Sequence, residues 1–539
     1  MSALLAELLG CAASAAPAVD LAFVGGTIHT MDDDRRVVSV LAVDGGRVVY
    51  AGDDRGWVQR AVEVVDLQGG ALFPGFVDAH VHLVEGGVET LGVQLAGAGT
   101  VEEMVARAEA WAGAHPAAEW IVGGGWDAST FNDLLRASQI DGIGRPVFLA
   151  SADGHSAWVN HAALREAGIG RQAPDPDDGR FERDEHGAPN GTLRETAVDL
   201  VGEFLPEPTE AELDAGLAHA LALARAHGIT SAIDPNVDEA TLATYARANL
   251  GPRVFTAVEL VPGEHEAAVA QLESLRARFE GDRLAVDAAK LYVDGVVESQ
   301  TAALVDPYDG GDTVHAAFTR EEIVAAALAV DAAGFDLHAH AIGDAAVRLV
   351  LDAIEEVERA HGRRDRHPVI AHLELVHPGD LARFAVLDVL AAFQPYWAFP
   401  DPYITDWTIP VVGPDRAERL YPLGSVARAG GTLVGGSDWS VSTMNPWEAI
   451  EVAVTRRDPD LPGPPLAPGE AIDLDTALAM YTRDGARAIG REGELGTLEV
   501  GKVADLVWVD RDPYSVARVS GVRVVRTWIR GARIQGAGG

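Results

Sequence analysis

Phe73-Pro-Gly-Phe-Val-Asp78-Ala-His80-Val-His82 is an apolar run that ends in an Asp-x-His-x-His pattern. Residues two apart on a strand face the same side, so Asp78, His80 and His82 project together from one strand end. Paired imidazoles there have a bland reading, as incidental hydrogen-bonded polar groups. The sharper reading, as ligands of a metal ion, requires further donors at the ends of other strands.

The sequence around this stretch alternates short apolar runs with Ala-rich helical ones. Strand candidates are Leu72 to Val77, Trp120 to Val122, Val147 to Ala150, Ile229 to Ile233, Val254 to Leu260, Ala288 to Val293, Phe335 to His340, Val369 to Leu375, Val389 to Phe393 and Thr432 to Gly435. Helical candidates are Val101 to Ala114, Glu210 to Ala226, Arg320 to Ala333, Ala345 to Ala360 and Leu474 to Ala488. Such alternation predicts an α/β fold, a TIM-like (β/α)8 barrel spanning 71–490. The runs exceed eight, so the surplus is expected in an insertion near 84–200. Residues 20–70 and 491–536 carry short β-rich runs punctuated by Gly and Asp. They are read as the two halves of one small composite β-sandwich domain formed by both chain ends.

The further donors are present. Lys290 lies inside the apolar run Ala288-Ala-Lys-Leu-Tyr-Val-Asp-Gly295, where a free ammonium is expensive to bury. Lys290 and Lys502 are the only lysines in the chain. A cationic lysine cannot ligate a metal, but a lysine carbamylated by carbon dioxide offers two anionic oxygens able to bridge two ions. A salt-bridged or snorkelling lysine is the competing reading. His338-Ala-His340-Ala-Ile-Gly-Asp344 ends another strand, Ala371-His372-Leu-Glu374 lies in a third, and Gly435-Gly-Ser-Asp438-Trp439 closes a fourth with a carboxylate. Imidazole and carboxylate suit zinc and related divalent ions.

Composition removes several functional classes. Asp and Glu number 82 against 42 Lys and Arg, a net charge of -40, the wrong sign for a nucleic-acid partner. Cys11 is the single cysteine, which excludes an intrachain disulfide and a cysteine-based zinc cluster. The Gly123 to Gly125 run has no Lys-Ser or Lys-Thr after it, so it is not read as a phosphate loop, and no Gly-x-Ser-x-Gly elbow occurs. No apolar stretch is long enough for a transmembrane segment. The expected location is cytoplasmic; the alternative, from Leu8-Leu9-Gly10-Cys11, is an envelope lipoprotein anchored through Cys11.

The ordered set HxH, Lys, His, His, Asp resembles the amidohydrolase superfamily, and within it the amidohydrolase 3 group, whose members are similar to N-substituted formamide deformylase. The matching strings are Phe73 to His82, Asp153 to Ser156, Gly228 to Thr230, Lys290 to Leu304, His340 to Asp344, Gly436 to Asp438 and Gly496 to Leu506. The resemblance implies two divalent metal ions, zinc, with His80 and His82 on the first, a carbon dioxide-derived carbamate on Lys290 bridging both, and His340 and His372 on the second. Asp438 would contact the first metal and carry the proton. The resemblance favours His340 over His338, which faces the same side, and gives Asp78 the role of orienting a ligand. Glu298 and Gln300 stand where better-known members often have small residues and Arg, so the substrate is not carried over.

The implied reaction is hydrolysis of a non-peptide C-N bond in a small-molecule amide, formamide or cyclic amide, by a hydroxide that bridges the two metals. Trp126, Asp127, His155, Trp158, Gln394, Tyr396, Trp397 and Trp439 are the expected substrate-lining residues, each with a competing reading as wall or core. A mononuclear deaminase, or an isomerase or lyase on the same barrel, and a non-catalytic scaffold are the competing functions. A homodimer is the expected assembly.

Overall fold

The computed structural model describes residues 18–131, 134–152, 154–176, 179–311 and 313–534. Cys11 and Asp153 lie outside the described residues. Eight parallel strands form the central sheet: β1 (Phe76–Asp78), β2 (Ile229–Asp234), β3 (Arg253–Glu259), β4 (Leu284–Tyr292), β5 (Asp336–Ala341), β6 (Val369–His372), β7 (Leu390–Phe393) and β8 (Thr432–Gly435). Each pairs with the next in chain order. Just beyond the ends of β1 and β8 the backbone closes the ring: Ala79 N–H donates to Gly435 O at 2.9 Å, and Asp438 N–H to His80 O at 2.8 Å. Gly436 permits that approach, since a Cβ there would lie 2.7 Å from His80 Cβ.

The covering helices follow their local sequence. Glu210–Ala226 starts at a capping box in which Thr209 and Glu212 satisfy each other's backbone N–H. Asp344–His361 buries Val347, Val350, Leu351, Ile354 and Val357, spaced to form one apolar stripe. The run Leu474 to Ala488 is two helices, Leu474–Tyr481 and Arg483–Ala488, because Thr482 leaves the helical region at φ -122, ψ -98.

The chain ends share a two-sheet unit. One sheet, in order Arg47–Gly52, Val40–Asp44, Val19–Val24, Ala61–Asp66, comes from the N-terminal part. The other joins both ends, because Ala71–Pro74 pairs in parallel with Thr27–His29 and antiparallel with Leu506–Val509. Phe23, Leu41 and Val43 pack against Leu506, Trp508 and Trp528, with Phe23 edge-on to Trp528 at 5.0 Å. The run Leu72 to Val77 is thus divided between two sheets. Pro74 brings no N–H, and the Gly75 N–H turns away to Asp505 O at 2.8 Å. Trp120 to Val122 and Val147 to Ala150, the runs in excess of eight, fall in Ile121–Trp126 and Val147–Ser151 of a separate six-stranded sheet. This sheet lies between β1 and β2 in sequence and has apolar cores of its own.

Among the described residues, no helix is long and apolar enough to cross a membrane. The barrel is clamped to the composite unit by a buried ion pair: Arg253, first residue of β3, donates to Asp505, which also accepts Arg530 N–H at 2.8 Å. Asp505→Ala leaves that guanidinium buried without its charge partner and is expected to lower unfolding free energy by about 3–5 kcal/mol. Denaturant unfolding of the purified variant measures this; a loss under about 1 kcal/mol would show that the pair does not hold the two units together.

Candidate metal centre

His80 and His82 lie just past the end of β1, and His82 stands at the N-cap of the helix Leu83–Glu89. Asp78 Oδ1 accepts the backbone N–H of His80 at 3.2 Å and that of Ser437 at 3.0 Å. It therefore orients the histidine through its main chain, tying the end of β1 to the segment after β8, rather than through an imidazole. Burial pushes its carboxyl up to about 7. Asp438, at φ 50, turns its carboxylate inward: Oδ1 is 3.2 Å from His82 Nε2 and 3.5 Å from His80 Nε2, and Oδ2 is 4.0 Å from His372 Nδ1.

On the adjoining strands, Lys290 and His338 are register partners across β4 and β5, followed by Tyr292 and His340. His338 Nε2 lies 3.0 Å from His80 Nδ1, and His340 Nε2 donates to Gly295 O at 3.2 Å. His372, at φ 80, ends β6 and places Nδ1 2.9 Å from Gln394 Oε1. Its ring centroid is 4.5 Å from that of His340 and 4.8 Å from that of His80. Left-handed backbone at the non-glycine residues His372 and Asp438 costs on the order of 1–3 kcal/mol each, strain of the kind that concentrates at functional sites.

Electrostatics separates these groups. Burial, reinforced by neighbouring basic groups, holds His80, His338 and His340 well below the usual histidine range, and burial holds His372 at about 4. These imidazoles are neutral and keep a lone pair. Burial also opposes charge on His82, but the contact with Asp438 outweighs it and holds His82 up at about 9. Burial opposes charge on Asp438 as well; the bond from His82 and the charges of His372 and Lys290 hold it at about 2. Lys290 is brought down by burial to about 8.

This donor set fits a divalent cation. The ligand atoms of His80, His82 and Asp438 lie within 4.8 Å of one another. Metal-bound histidines usually have their second ring nitrogen held by a protein group, and three of the four candidate ligand imidazoles do. His80 Nδ1 faces His338, His340 Nε2 faces the Gly295 carbonyl, and His372 Nδ1 faces Gln394. A second donor group joins Asp365 and His367, just before β6, to Glu492, after the helix Arg483–Ala488, and takes no part in this site.

The residues expected to line the substrate pocket divide. Trp397 belongs beside the site, since its ring stacks on that of His372 at 5.6 Å and 5°. Gln394 is fully buried, and its Oε1 faces His372 Nδ1. Trp126 and Trp158 pack elsewhere. Both are buried in the core of the six-stranded sheet, and their indole N–H groups are spent on Leu149 O at 2.8 Å and Arg136 O at 3.0 Å. Trp439 is nearly buried and packs on Gly86 of the helix after His82, so it buttresses the site from behind. Asp127 accepts the Thr130 hydroxyl and acts electrostatically on Asp401, in the segment after β7. His155 pairs with Glu195 at 2.9 Å, and Glu195 interacts in turn with Ser299 in the loop after β4. The separate sheet thereby touches the C-terminal mouth of the barrel, where catalytic residues of this fold sit.

Two nearby groups escaped the sequence reading. Tyr292 places its ring centroid 4.5 Å from Lys290 Nζ and 5.7 Å from that of His340. Asp234 ends β2, is buried, and has Oδ1 3.7 Å from His82 Nδ1. Its signal was an acid closing an apolar strand, the same signal that marks Asp438 after β8; reading the strand only to Ile233 passed over it.

The comparisons with known proteins agree with this geometry. Residues 63–535 match the model of the amidohydrolase family. The chain is 30% identical to N-substituted formamide deformylase of Arthrobacter pascens, over 95% of this chain and 97% of that protein. It is 28% identical to the putative amidohydrolase YtcJ of Bacillus subtilis, over 94% and 98%. Among solved structures, an uncharacterized metal-dependent hydrolase from Pyrococcus horikoshii superposes with a TM-score of 0.76 at 27% identity, covering 93% of this chain and 99% of that one. With its barrel, its cluster of buried donors and a match over most of its length, the chain belongs to the amidohydrolase family.

Proposed function

We propose that the protein hydrolyses a non-peptide C-N bond in a small amide, formamide or cyclic amide, with two divalent ions, zinc, as cofactors. In this reading His80 and His82 hold the first ion, His340 and His372 the second, a carbamate on Lys290 bridges them, and Asp438 carries the proton. His338 serves as the hydrogen-bond partner of His80 rather than as a ligand. The observation that carries the reading is Asp438 itself. Its carboxylate stands 3.2 Å from His82 Nε2 and 3.5 Å from His80 Nε2 at the mouth of the barrel, held ionised among basic groups.

Bound divalent ions would supply a nucleophile at neutral pH and polarise the scissile carbonyl. The chain's own residues do the rest. An ionised Asp438 accepts a proton from the attacking water on a carboxylate oxygen and delivers it to the leaving nitrogen, so water adds across the C-N bond to give a carboxylate and an amine. His80, His340 and His372, held neutral, keep competing protons off their own donor nitrogens. Trp397, stacked on His372, offers an apolar wall beside the reacting centre. Lys290 suits carbamylation because burial brings it to about 8, which makes the neutral amine available. That amine adds to carbon dioxide, forming an N–C bond and releasing one proton. A single-ion deaminase is the second reading; in its favour, only His80, His82 and Asp438 of the site's donors form a group within 4.8 Å.

Enzyme loaded with zinc and bicarbonate is expected to hydrolyse members of a panel of N-formyl, N-acyl and cyclic amides, followed by amine release. A chelator should abolish the activity, and Asp438→Asn should lower kcat/KM by about 10²–10⁴-fold. Release of ammonia from aminated rings with no amide hydrolysed would favour the deaminase instead.

Lys290 also yields a stability test on the metal-free protein. Its displacement from 10.5 to about 8 costs the folded state about 3 kcal/mol at pH 7, because the ammonium carried by both states at that pH is buried in the folded one. Metal-free Lys290→Met is therefore expected to be more stable than the parent at pH 7. The gain is complete below pH 8 and shrinks as pH rises towards 10.5, which denaturant unfolding across that range measures.

A further inference from the structure

Three of the four candidate ligand imidazoles have the second nitrogen engaged, and His82 is the exception. Its Nδ1 is buried and has no hydrogen-bond partner among the described residues. Two carboxylates approach it. Glu85 Oε2, at 3.9 Å, belongs to a side chain that is 68% exposed, whereas Asp234 Oδ1, at 3.7 Å, belongs to one that is 3% exposed. Solvent competes for the first and not for the second.

Asp234 is also anchored. Tyr245, buried on the helix Glu239–Arg247, donates its hydroxyl to Asp234 Oδ2 at 2.5 Å, which occupies one oxygen and leaves Oδ1 turned towards His82. Among the described residues, the one hydrogen bond to Oδ1 comes from the Asn236 N–H at 3.5 Å. The 3.7 Å gap is too long for a hydrogen bond. On its other side the ring meets Asp438, whose Oδ1 lies 3.2 Å from His82 Nε2. A cation held by His82 and Asp438 would take the place of that contact and would allow Nδ1 to meet Asp234.

We propose that Asp234, fixed by Tyr245, is the positioning residue for His82: it holds the proton on Nδ1 and so presents the Nε2 lone pair to the first metal ion. Carboxylate, imidazole and metal then form a line, the arrangement that raises ligand basicity and sets ring orientation. The inference rests on the metal-binding reading given above and adds a residue to it. Tyr245 acts one step further out, on the carboxylate rather than on the ring. Its loss leaves Oδ1 in place but less firmly aimed, so its effect is smaller.

The test is a titration of metal-free full-length protein with cobalt(II), read by its absorption spectrum and by calorimetry, at several pH values. Asp234→Asn is expected to weaken the tighter site by about 10–100-fold, to move half-saturation to higher pH, and to recover much of its binding at excess cobalt. Tyr245→Phe is expected to do the same to a smaller degree, with its fold checked by circular dichroism. If both variants bind cobalt with parental affinity and pH dependence and differ only in melting temperature, Asp234 is structural and the proposal is overturned. If the parent protein itself takes up no cobalt, the underlying metal reading fails, an outcome separate from the first. Should Asp234→Asn not fold, Asp234→Glu, which keeps the charge and displaces it, must still shift the affinity, and parental binding by that variant counts against the proposal.

Discussion

Five imidazoles and one amine converge on the mouth of the barrel, with Asp438 as the carboxylate set among them. Protonating them all is impossible at that spacing and burial, so most are held neutral, with their lone pairs turned inward. A buried polar group without a partner is costly, and a cluster of them more so. Much of the surrounding architecture manages this one constraint. The ring closes between β1 and β8 by backbone hydrogen bonds, so His80 and Asp438 are placed by main chain rather than by flexible side chains. Left-handed turns at His372 and Asp438 aim those groups inward, and Asp78 ties two strand ends together from beneath.

The same constraint explains why the site is built on several strands. A strand end contributes one or two inward side chains, so a cluster of this many donors has to be collected from distant parts of the chain. Parallel strands in a closed ring bring their C-terminal ends to a common rim. The small composite unit completes the frame, since Ala71–Pro74 lies within its sheet and leads directly into β1. The strand that delivers His80 and His82 therefore starts from a fixed support.

Much of this was legible in the residues. The alternation of apolar and Ala-rich runs identified the barrel, and Asp-x-His-x-His, Lys290 and Asp438 marked strand ends because such groups are out of place in apolar runs. Aromatic residues were the least legible. Trp126, Trp158 and Trp397 look alike in sequence, yet two fill a core and one stacks on His372. Only the packing of distant segments separates them. Gln394 poses a related problem: a buried amide after a strand can face an imidazole or a substrate, and nothing local decides which. Asp234 was passed over because its role depends on His82, which is far away in sequence and near in space.

The central claim is that these donors form a two-ion centre bridged by a modified lysine. Elemental analysis of protein prepared with zinc and bicarbonate, paired with detection of the Lys290 carbamate by carbon-13 labelling from bicarbonate, tests it most directly. The account predicts about two divalent ions per chain and one carbamate resonance that disappears in Lys290→Met. One ion or none, with an unmodified lysine, would contradict it.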